Sequence, residues 1–299
     1  MEFIELLKAL FIGIVQGITE WLPISSTGHM ILFDEFMKLQ VSSEFREMFF
    51  VVIQFGSIMA VIILYFQKLN PFSPRKNRAE KRATMVLWAK VVVACIPAAI
   101  VGLLLDSWAE EHFFNAVVVA CALAVYGVAF IVIERVKAQK TPLEEPARVG
   151  RHFARRPSKE DDELAGLSFP RALGIGCFQC LAIIPGTSRS GSTILGGLIL
   201  GVSRKTAAEF SFFLAIPVMF GWSLLKVVKV FFLEQLMPTT TEWGVLGVGV
   251  VVAFAVSIFA IRFLMSYIKR NSFEAFGWYR IALGILVLAY FFVISPMIG

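Results

Sequence analysis

Charged residues are scarce in this chain: they make up 17% of its 299 residues, whereas ordinary soluble domains carry about 25%. Cysteine occurs four times and histidine three times. All four cysteines lie within apolar blocks, where we expect buried packing residues, and Cys177-x-x-Cys180 lacks the strand-helix context of a soluble redox motif. P-loop, zinc and G-x-S-x-G signatures are also missing. These absences exclude a soluble globular protein and the common soluble hydrolases.

Apolar residues are abundant instead, at 58% of the chain with 29 Phe and a mean hydropathy of +0.76. They form long blocks rather than helical stripes. Six blocks are long enough, or nearly so, to cross about 30 Å of hydrocarbon as helices. They cover residues 48–66, 91–105 (extended back to 85), 113–133, 210–225 (extended to 232), 243–261 and 281–299. The pattern predicts an all-α, polytopic membrane protein.

Two further apolar regions, residues 9–33 and 172–202, are each interrupted by a proline and a polar cluster. The first cluster runs from Glu20 to His29 and the second from Pro185 to Gly191. Neither half of either region is long enough to span a bilayer. Because irregular backbone at membrane depth is tolerated only inside protein or beside a wet cavity, each region is predicted to be a re-entrant helix-loop-helix.

An internal repeat relates the two halves of the chain. A shift of 163 residues, from Ser25 to Ser188, aligns the two broken regions without a gap and also matches Gln16 with Gln179. The repeated unit is one re-entrant hairpin plus three spans, and an odd number of spans inverts the second copy in the membrane. We therefore predict an inverted-topology repeat with a first copy over residues 1–135, a cytoplasmic linker over 136–170 and a second copy over 171–299.

The loop charges predict an orientation. Residues 68–90 hold seven basic residues and one acid, and Arg204, Lys205, Lys269 and Arg270 fall on the same predicted side, opposite loops rich in acids. Because Lys and Arg concentrate in cytoplasmic loops, both termini are expected on the outer side. The formal charge of +6 is then explained by topology, and no nucleic-acid partner is expected.

Three ionisable residues lie in the predicted re-entrant loops: Glu20, His29 and Arg189. Such groups are costly at membrane depth, so function is the first hypothesis. Gln16 lies one helical turn before Glu20 and shares its face. Alternatively, Glu20 is a buried ion-pair partner of Arg189 that joins the hairpins, and both roles are compatible.

Hydroxyl-rich segments begin the second half-helix of each hairpin, where unsatisfied N–H groups and positive partial charge favour an anion. Helix capping alone would explain either cluster, but two facing clusters with a buried arginine favour a phosphate site. The repeat shares this scaffold but not Glu20, His29 or Arg189, which predicts an active site between the halves. Arginine would clamp phosphate oxygens, with serine or histidine as nucleophile or proton carrier. The predicted phosphate-binding residues are Ser25, Thr27, Ser188, Arg189, Ser190 and Thr193.

Three motifs, Gln16-x-x-x-Glu20, Pro23-Ile-Ser-Ser-Thr-Gly-His29 and Pro185-Gly-Thr-Ser-Arg-Ser-x-x-Thr193, resemble the signature regions of the bacterial undecaprenyl-diphosphate phosphatases. The resemblance covers essentially the whole chain. These membrane enzymes, linked to bacitracin resistance, hydrolyse the C55 lipid carrier diphosphate to the monophosphate, which re-enters peptidoglycan synthesis. The resemblance implies a bacterial inner-membrane enzyme whose site opens to the outer face.

The resemblance also implies residue roles. Glu20 would belong to an acidic motif for a divalent cation, Mg²⁺ or Ca²⁺, with Gln16 as a further ligand at a position that is Glu or Gln in the family. Ser26 and His29 would be nucleophile and acid or base, and Arg189 would bind phosphate. The expected partners are a lipid diphosphate substrate and membrane lipids, and a homo-oligomer is compatible with the sequence. The alternative from another class is a secondary transporter or flippase for a phosphorylated lipid, because inverted repeats with broken helices are common in transporters.

Overall fold

The computed structural model describes residues 2–140, 164–233, 235 and 237–295, and within these residues the regular structure is helical, without a strand. The ten main helices are α1 (Glu2–Thr19), α2 (Ser26–Phe36), α3 (Ser43–Leu64), α4 (Arg78–Phe113), α5 (Ala116–Lys140), α6 (Phe169–Gln179), α7 (Arg189–Ile199), α8 (Arg204–Val228), α9 (Thr240–Tyr267) and α10 (Glu274–Ala289). Shorter helical segments lie at Phe66–Leu69, Cys180–Ile183, Lys229–Leu233 and Tyr290–Ile294.

Six of these helical segments are long and apolar enough to cross a membrane, as the sequence predicts. They are Ser43–Leu64, Arg78–Leu105, Ala116–Gln139, Arg204–Leu233, Thr240–Tyr267 and Glu274–Ile294. Many of the most exposed side chains on these segments are apolar, such as Leu103 at 74% and Phe232 at 76%. An apolar outer surface of this extent fits hydrocarbon rather than water. The chain is therefore a multi-pass, all-helical membrane protein.

The helices extend beyond the predicted blocks because polar residues cap their ends. Asn77 accepts the Glu80 N–H and Glu80 accepts the Asn77 N–H, a capping box that starts α4 at Arg78. Helix α5 likewise continues to Lys140, five residues into the predicted linker, and linker residues 141–163 lie outside the described residues.

Glycines bring several helix backbones into contact. A Cβ atom added at Gly127 of α5 would lie 2.6 Å from the Gly277 carbonyl oxygen of α10, and one at Gly277 would lie equally close to the Gly127 carbonyl. Gly13 of α1 approaches Gly249 of α9 in a similar way, with 2.9 Å between the added Cβ and the Gly249 carbonyl oxygen. Small residues of this kind allow close helix packing within a bilayer.

The first helix of each half packs on a helix of the other half. Helix α1 packs on α9, while α6 packs on α4, and the last long helices, α5 and α10, pack on each other. Helix α7 is enclosed by protein, because every residue from Ser190 to Leu198 is buried. This arrangement brings the α1–α2 loop and the segment before α7 to the centre of the molecule.

Candidate functional site

The two interrupted regions meet through contacts between residues that are far apart in sequence. The Arg189 Nη2 atom donates to Glu20 Oε1 over 2.9 Å, forming an ion pair. The Ser190 hydroxyl donates to the Glu20 carbonyl oxygen over 3.0 Å. A side-chain and a backbone contact therefore both join the start of α7 to the end of α1.

The loops before α2 and α7 share one backbone geometry. Ser25 and Ser188 are the N-cap residues of these helices, and both have φ of 72°. Each serine Oγ accepts the N–H of the residue three positions later, Gly28 at 3.3 Å and Gly191 at 3.1 Å. Because positive φ is uncommon and strained outside glycine, its occurrence at both positions reflects the same tight turn, which directs a helix N-terminus into the centre.

The Glu20 carboxylate receives three donors. Arg189 donates to Oε1, and Oε2 accepts from Gln16 Nε2 at 3.0 Å and from Ser26 Oγ at 3.3 Å. Glu20 is only 7% exposed, and a buried carboxylate is tolerated when it is paired and hydrogen-bonded in this way. The contact with Ser26 places a carboxylate beside a hydroxyl, the pairing that activates a nucleophile.

Arg189 is held on several sides. Its Nη1 donates to the Ser211 carbonyl oxygen over 2.9 Å, and its guanidinium lies 5.6 Å from the centre of the Trp21 ring. The buried donors Arg189 Nε and Trp21 Nε1 have no hydrogen-bond partner among the described residues. Unused N–H donors beside a fixed guanidinium fit an anionic ligand.

A cavity of about 220 Å³ opens at this junction. Of the residues predicted from sequence, it is lined by Glu20, Ser26, Thr27, Ser188 and Arg189. Gln54 also lines the cavity, although it was not among the residues predicted from sequence. The sequence feature that could have indicated it is a polar amide in the middle of an otherwise apolar span. The Gln54 Nε2 atom donates to the Phe50 carbonyl over 3.3 Å, so this contact leaves its Oε1 atom for a ligand.

Three of the predicted phosphate-binding residues do not line the cavity. Ser25 caps α2, Ser190 bonds to the Glu20 carbonyl, and Thr193 shares a hydrogen bond of 2.7 Å with Ser211. All three are buried. Their hydroxyls position the two loops, and their binding of phosphate stays a prediction.

His29 contacts α10 rather than Ser26 in the described structure. Its Nδ1 lies 2.7 Å from the Ser25 carbonyl oxygen, which can only accept, so Nδ1 is assigned the proton. The Nε2 atom of the neutral ring then accepts from the Tyr279 hydroxyl over 2.7 Å. Tyr279 is a second neighbour of the site that the sequence interpretation missed.

Oxygen donors for a hard cation are present but few. On the cavity wall, Glu20 supplies a carboxylate, Gln54 an amide oxygen and Ser26 a hydroxyl. Gln16, the further ligand predicted from sequence, does not line the cavity and turns its Nε2 atom to Glu20. The described residues contain no group of three His, Cys, Asp or Glu that could hold a metal. Mg²⁺ often binds through one or two carboxylates and substrate phosphates. The residues therefore fit a cation whose other ligands come from a diphosphate.

The fold and this site define a class: polytopic membrane proteins in which two broken-helix regions bring a carboxylate, hydroxyls and a guanidinium around one central cavity. The chain belongs to the bacitracin resistance protein BacA family, whose model matches residues 9–286.

Curated relatives resemble the chain over nearly its whole length. It is 55% identical to the undecaprenyl-diphosphatase of Lactiplantibacillus plantarum, over 97% of this chain and 99% of the relative. It is 52% identical to the undecaprenyl-diphosphatase of Enterococcus faecalis over 97% and 99% of the two chains. It is 53% identical to undecaprenyl-diphosphatase 1 of Clostridioides difficile over 98% of each.

Proposed function

We propose that this chain is an integral membrane phosphatase that hydrolyses undecaprenyl diphosphate to undecaprenyl phosphate and phosphate, and so recycles the lipid carrier for peptidoglycan synthesis. The observation that carries the proposal is the Glu20, Ser26 and Arg189 constellation around one cavity between apolar helices. Relatives that share more than half of its residues carry the corresponding name.

Ser26 acts as the nucleophile and Glu20 as its base. Glu20 Oε2, which already accepts the Ser26 hydrogen bond, takes the proton as Oγ attacks the terminal phosphorus. The new Oγ–P bond replaces the bond to the bridging oxygen, Glu20 passes its proton to that oxygen, and undecaprenyl phosphate leaves. Water then attacks the phosphoserine, and Glu20, ionised again, takes a proton from the water and returns it to Ser26 Oγ as the Oγ–P bond breaks and phosphate is released. His29, held by Ser25 and Tyr279, orients the start of α2 in this scheme and remains the alternative nucleophile.

Arg189 and the helix N-termini stabilise the charge on the transferring phosphoryl group. Its Nε atom and the Thr27 and Ser188 hydroxyls on the cavity wall donate to phosphate oxygens. Because the ion pair with Glu20 and the bond to the Ser211 carbonyl fix the guanidinium before substrate arrives, little reorganisation accompanies the reaction.

For a divalent cation, Mg²⁺ or Ca²⁺, the protein ligands would be Glu20 and, one helical turn before it, Gln16. Such an ion would supply Lewis-acid charge neutralisation for the phosphate oxygens. The protein contribution is the single carboxylate together with the amide oxygens around it.

We infer the finer architecture as an inverted repeat of one re-entrant hairpin plus three spans. Its supports are the equal φ values of Ser25 and Ser188 and the exchanged packing of α1 on α9 and α6 on α4. The loop charges favour both termini on the outer side of a bacterial inner membrane, with the cavity open to that face.

Phosphate release by the purified protein in detergent tests the proposal. A detergent micelle has no second compartment, so transport cannot mimic the signal. We expect release from undecaprenyl diphosphate by the wild type and a loss of at least about a hundredfold in Arg189→Gln, with Arg262→Gln, exposed near the end of α9, as the matched control. An inactive wild type that moves undecaprenyl phosphate across vesicles would instead favour the transporter alternative.

A further inference from the structure

Arg280 lies at the centre of the molecule although none of the three motifs singled out in the sequence contains it. It is on α10, is 0% exposed, and its guanidinium donates to three backbone carbonyls: Pro23 at 3.2 Å, Gly186 at 2.8 Å and Thr187 at 2.9 Å. Pro23 belongs to the loop before α2, whereas Gly186 and Thr187 belong to the loop before α7. One side chain therefore bonds to both loops of the site.

The two loops depend on backbone geometry that few residues adopt. Gly186 has φ of 91°, and an added Cβ there would collide with the backbone of Val119. Ser25 and Ser188, each within two residues of a carbonyl that Arg280 binds, have φ of 72°. Because such conformations persist only where surrounding contacts hold them, the guanidinium is placed to fix both turns at once.

The charge of Arg280 is not matched by an acid. Among the described residues Arg280 makes no ion pair, and its hydrogen-bond acceptors are neutral carbonyls. Its guanidinium lies 5.4 Å from the centre of the Tyr126 ring, and its Nε atom has no hydrogen-bond partner among these residues. Glu20 is already paired with Arg189. One buried positive charge thus remains next to the cavity loops, and a buried charge without a counterion is costly.

We propose that Arg280 is a positioning residue for phosphoryl transfer. The N–H donors of its guanidinium hold the two loops in fixed positions relative to each other, and its unpaired positive charge is neutralised by the phosphate groups of the bound substrate. This inference rests on the proposed phosphatase function. Substitution of Arg280 by lysine or by glutamine separates the positioning role from the charge role. Lysine keeps the positive charge without the planar set of donors, whereas glutamine keeps an N–H donor without the charge.

The test measures kcat for phosphate release from undecaprenyl diphosphate, and the affinity for inorganic phosphate by thermal stabilisation of the detergent-solubilised protein. In Arg280→Lys we expect kcat to fall about a hundredfold, as for small misplacements of reacting groups, with phosphate affinity near that of the wild type. In Arg280→Gln we expect kcat to fall similarly and phosphate affinity to weaken about tenfold or more. Arg262→Lys and Arg262→Gln are the matched controls and should leave both quantities unchanged.

A wild-type kcat in folded Arg280→Lys would overturn the positioning role, and a wild-type phosphate affinity in folded Arg280→Gln would overturn the charge role. If neither variant accumulates as folded protein, Arg280 serves the scaffold alone and the proposal is wrong. A wild-type protein that releases no phosphate would contradict the proposed function. The effect of Arg280 on phosphate affinity could still be measured in that case, so the two failures are distinguishable.

Discussion

Replacing Glu20 with glutamine removes one negative charge while keeping nearly the same shape. Three contacts change: the ion pair with Arg189 at 2.9 Å, the hydrogen bond from Ser26 at 3.3 Å and the hydrogen bond from Gln16 at 3.0 Å. If Glu20 is the base for Ser26, the proton of the nucleophile has no acceptor of sufficient basicity. Loss of a general base lowers the rate by about 10²- to 10⁴-fold, and we expect a fall in kcat within this range.

The stability cost is smaller than the catalytic one. Breaking a buried ion pair by removing one partner costs about 3–5 kcal/mol, and here the two side chains are 12% and 7% exposed. The glutamine oxygen still accepts from Arg189, so about 1–3 kcal/mol is a better expectation. Arg189 also loses its competing anion, and the affinity for inorganic phosphate should therefore not weaken.

The assay combines kcat per folded molecule, thermal unfolding and phosphate binding for Glu20→Gln and Glu209→Gln. Glu209 is the matched control because it is buried, forms a 2.8 Å ion pair with Lys68 and does not line the cavity. We expect the control to lose stability but keep kcat. A kcat for folded Glu20→Gln within about tenfold of the wild type would refute the base assignment and leave Glu20 as the partner of Arg189.

Three more predictions concern the cation, His29 and the orientation in the membrane. Gln16→Glu places a second carboxylate beside Glu20, so we expect activity at lower Mg²⁺ or Ca²⁺ concentration in a metal titration; an unchanged titration curve would remove position 16 from the cation site. Tyr279→Phe removes the hydrogen bond to His29 Nε2 but keeps the bond between His29 Nδ1 and the Ser25 carbonyl, so kcat should fall less than about tenfold. A loss as large as that of Glu20→Gln would indicate that His29 Nε2 takes part in the reaction. Cysteine labelling tests the orientation in a background without the four native cysteines, at the exposed positions Arg75 and Glu111. A cysteine at position 75 should be labelled from the cytoplasmic side and one at position 111 from the outer side. Labelling of both from the same side would contradict the inverted repeat.

The sequence was sufficient for features that depend on local composition. Six spans follow from hydropathy alone, although their ends do not, because capping residues such as Asn77 and long charged side chains extend helices beyond the apolar blocks. The meeting of Glu20 with Arg189 was also predictable, since both interrupt apolar regions at membrane depth and each is the kind of partner that the other requires.

Contacts that depend on packing could not be predicted. Arg280 directly precedes the predicted span at residues 281–299, so the sequence pattern gives no reason to assign it to the site. The structure begins α10 at Glu274 and places Arg280 nearly two turns inside the helix. Its acceptors are backbone carbonyls of distant loops, which have no sequence signature. The orientation of His29 towards Tyr279 is likewise set by how α10 packs beside α2, and not by the spacing between Ser26 and His29.

The most direct test of the phosphatase site is the turnover of undecaprenyl diphosphate by Ser26→Ala, compared with Thr27→Ala, in detergent. Both residues line the cavity, but only Ser26 donates to Glu20. With folding checked for each variant, we expect Ser26→Ala to lose several orders of magnitude in kcat because the attacking oxygen is gone, and Thr27→Ala to lose about tenfold or less. Near-normal phosphate release by Ser26→Ala would rule out Ser26 as the nucleophile and transfer that role to His29 or to water.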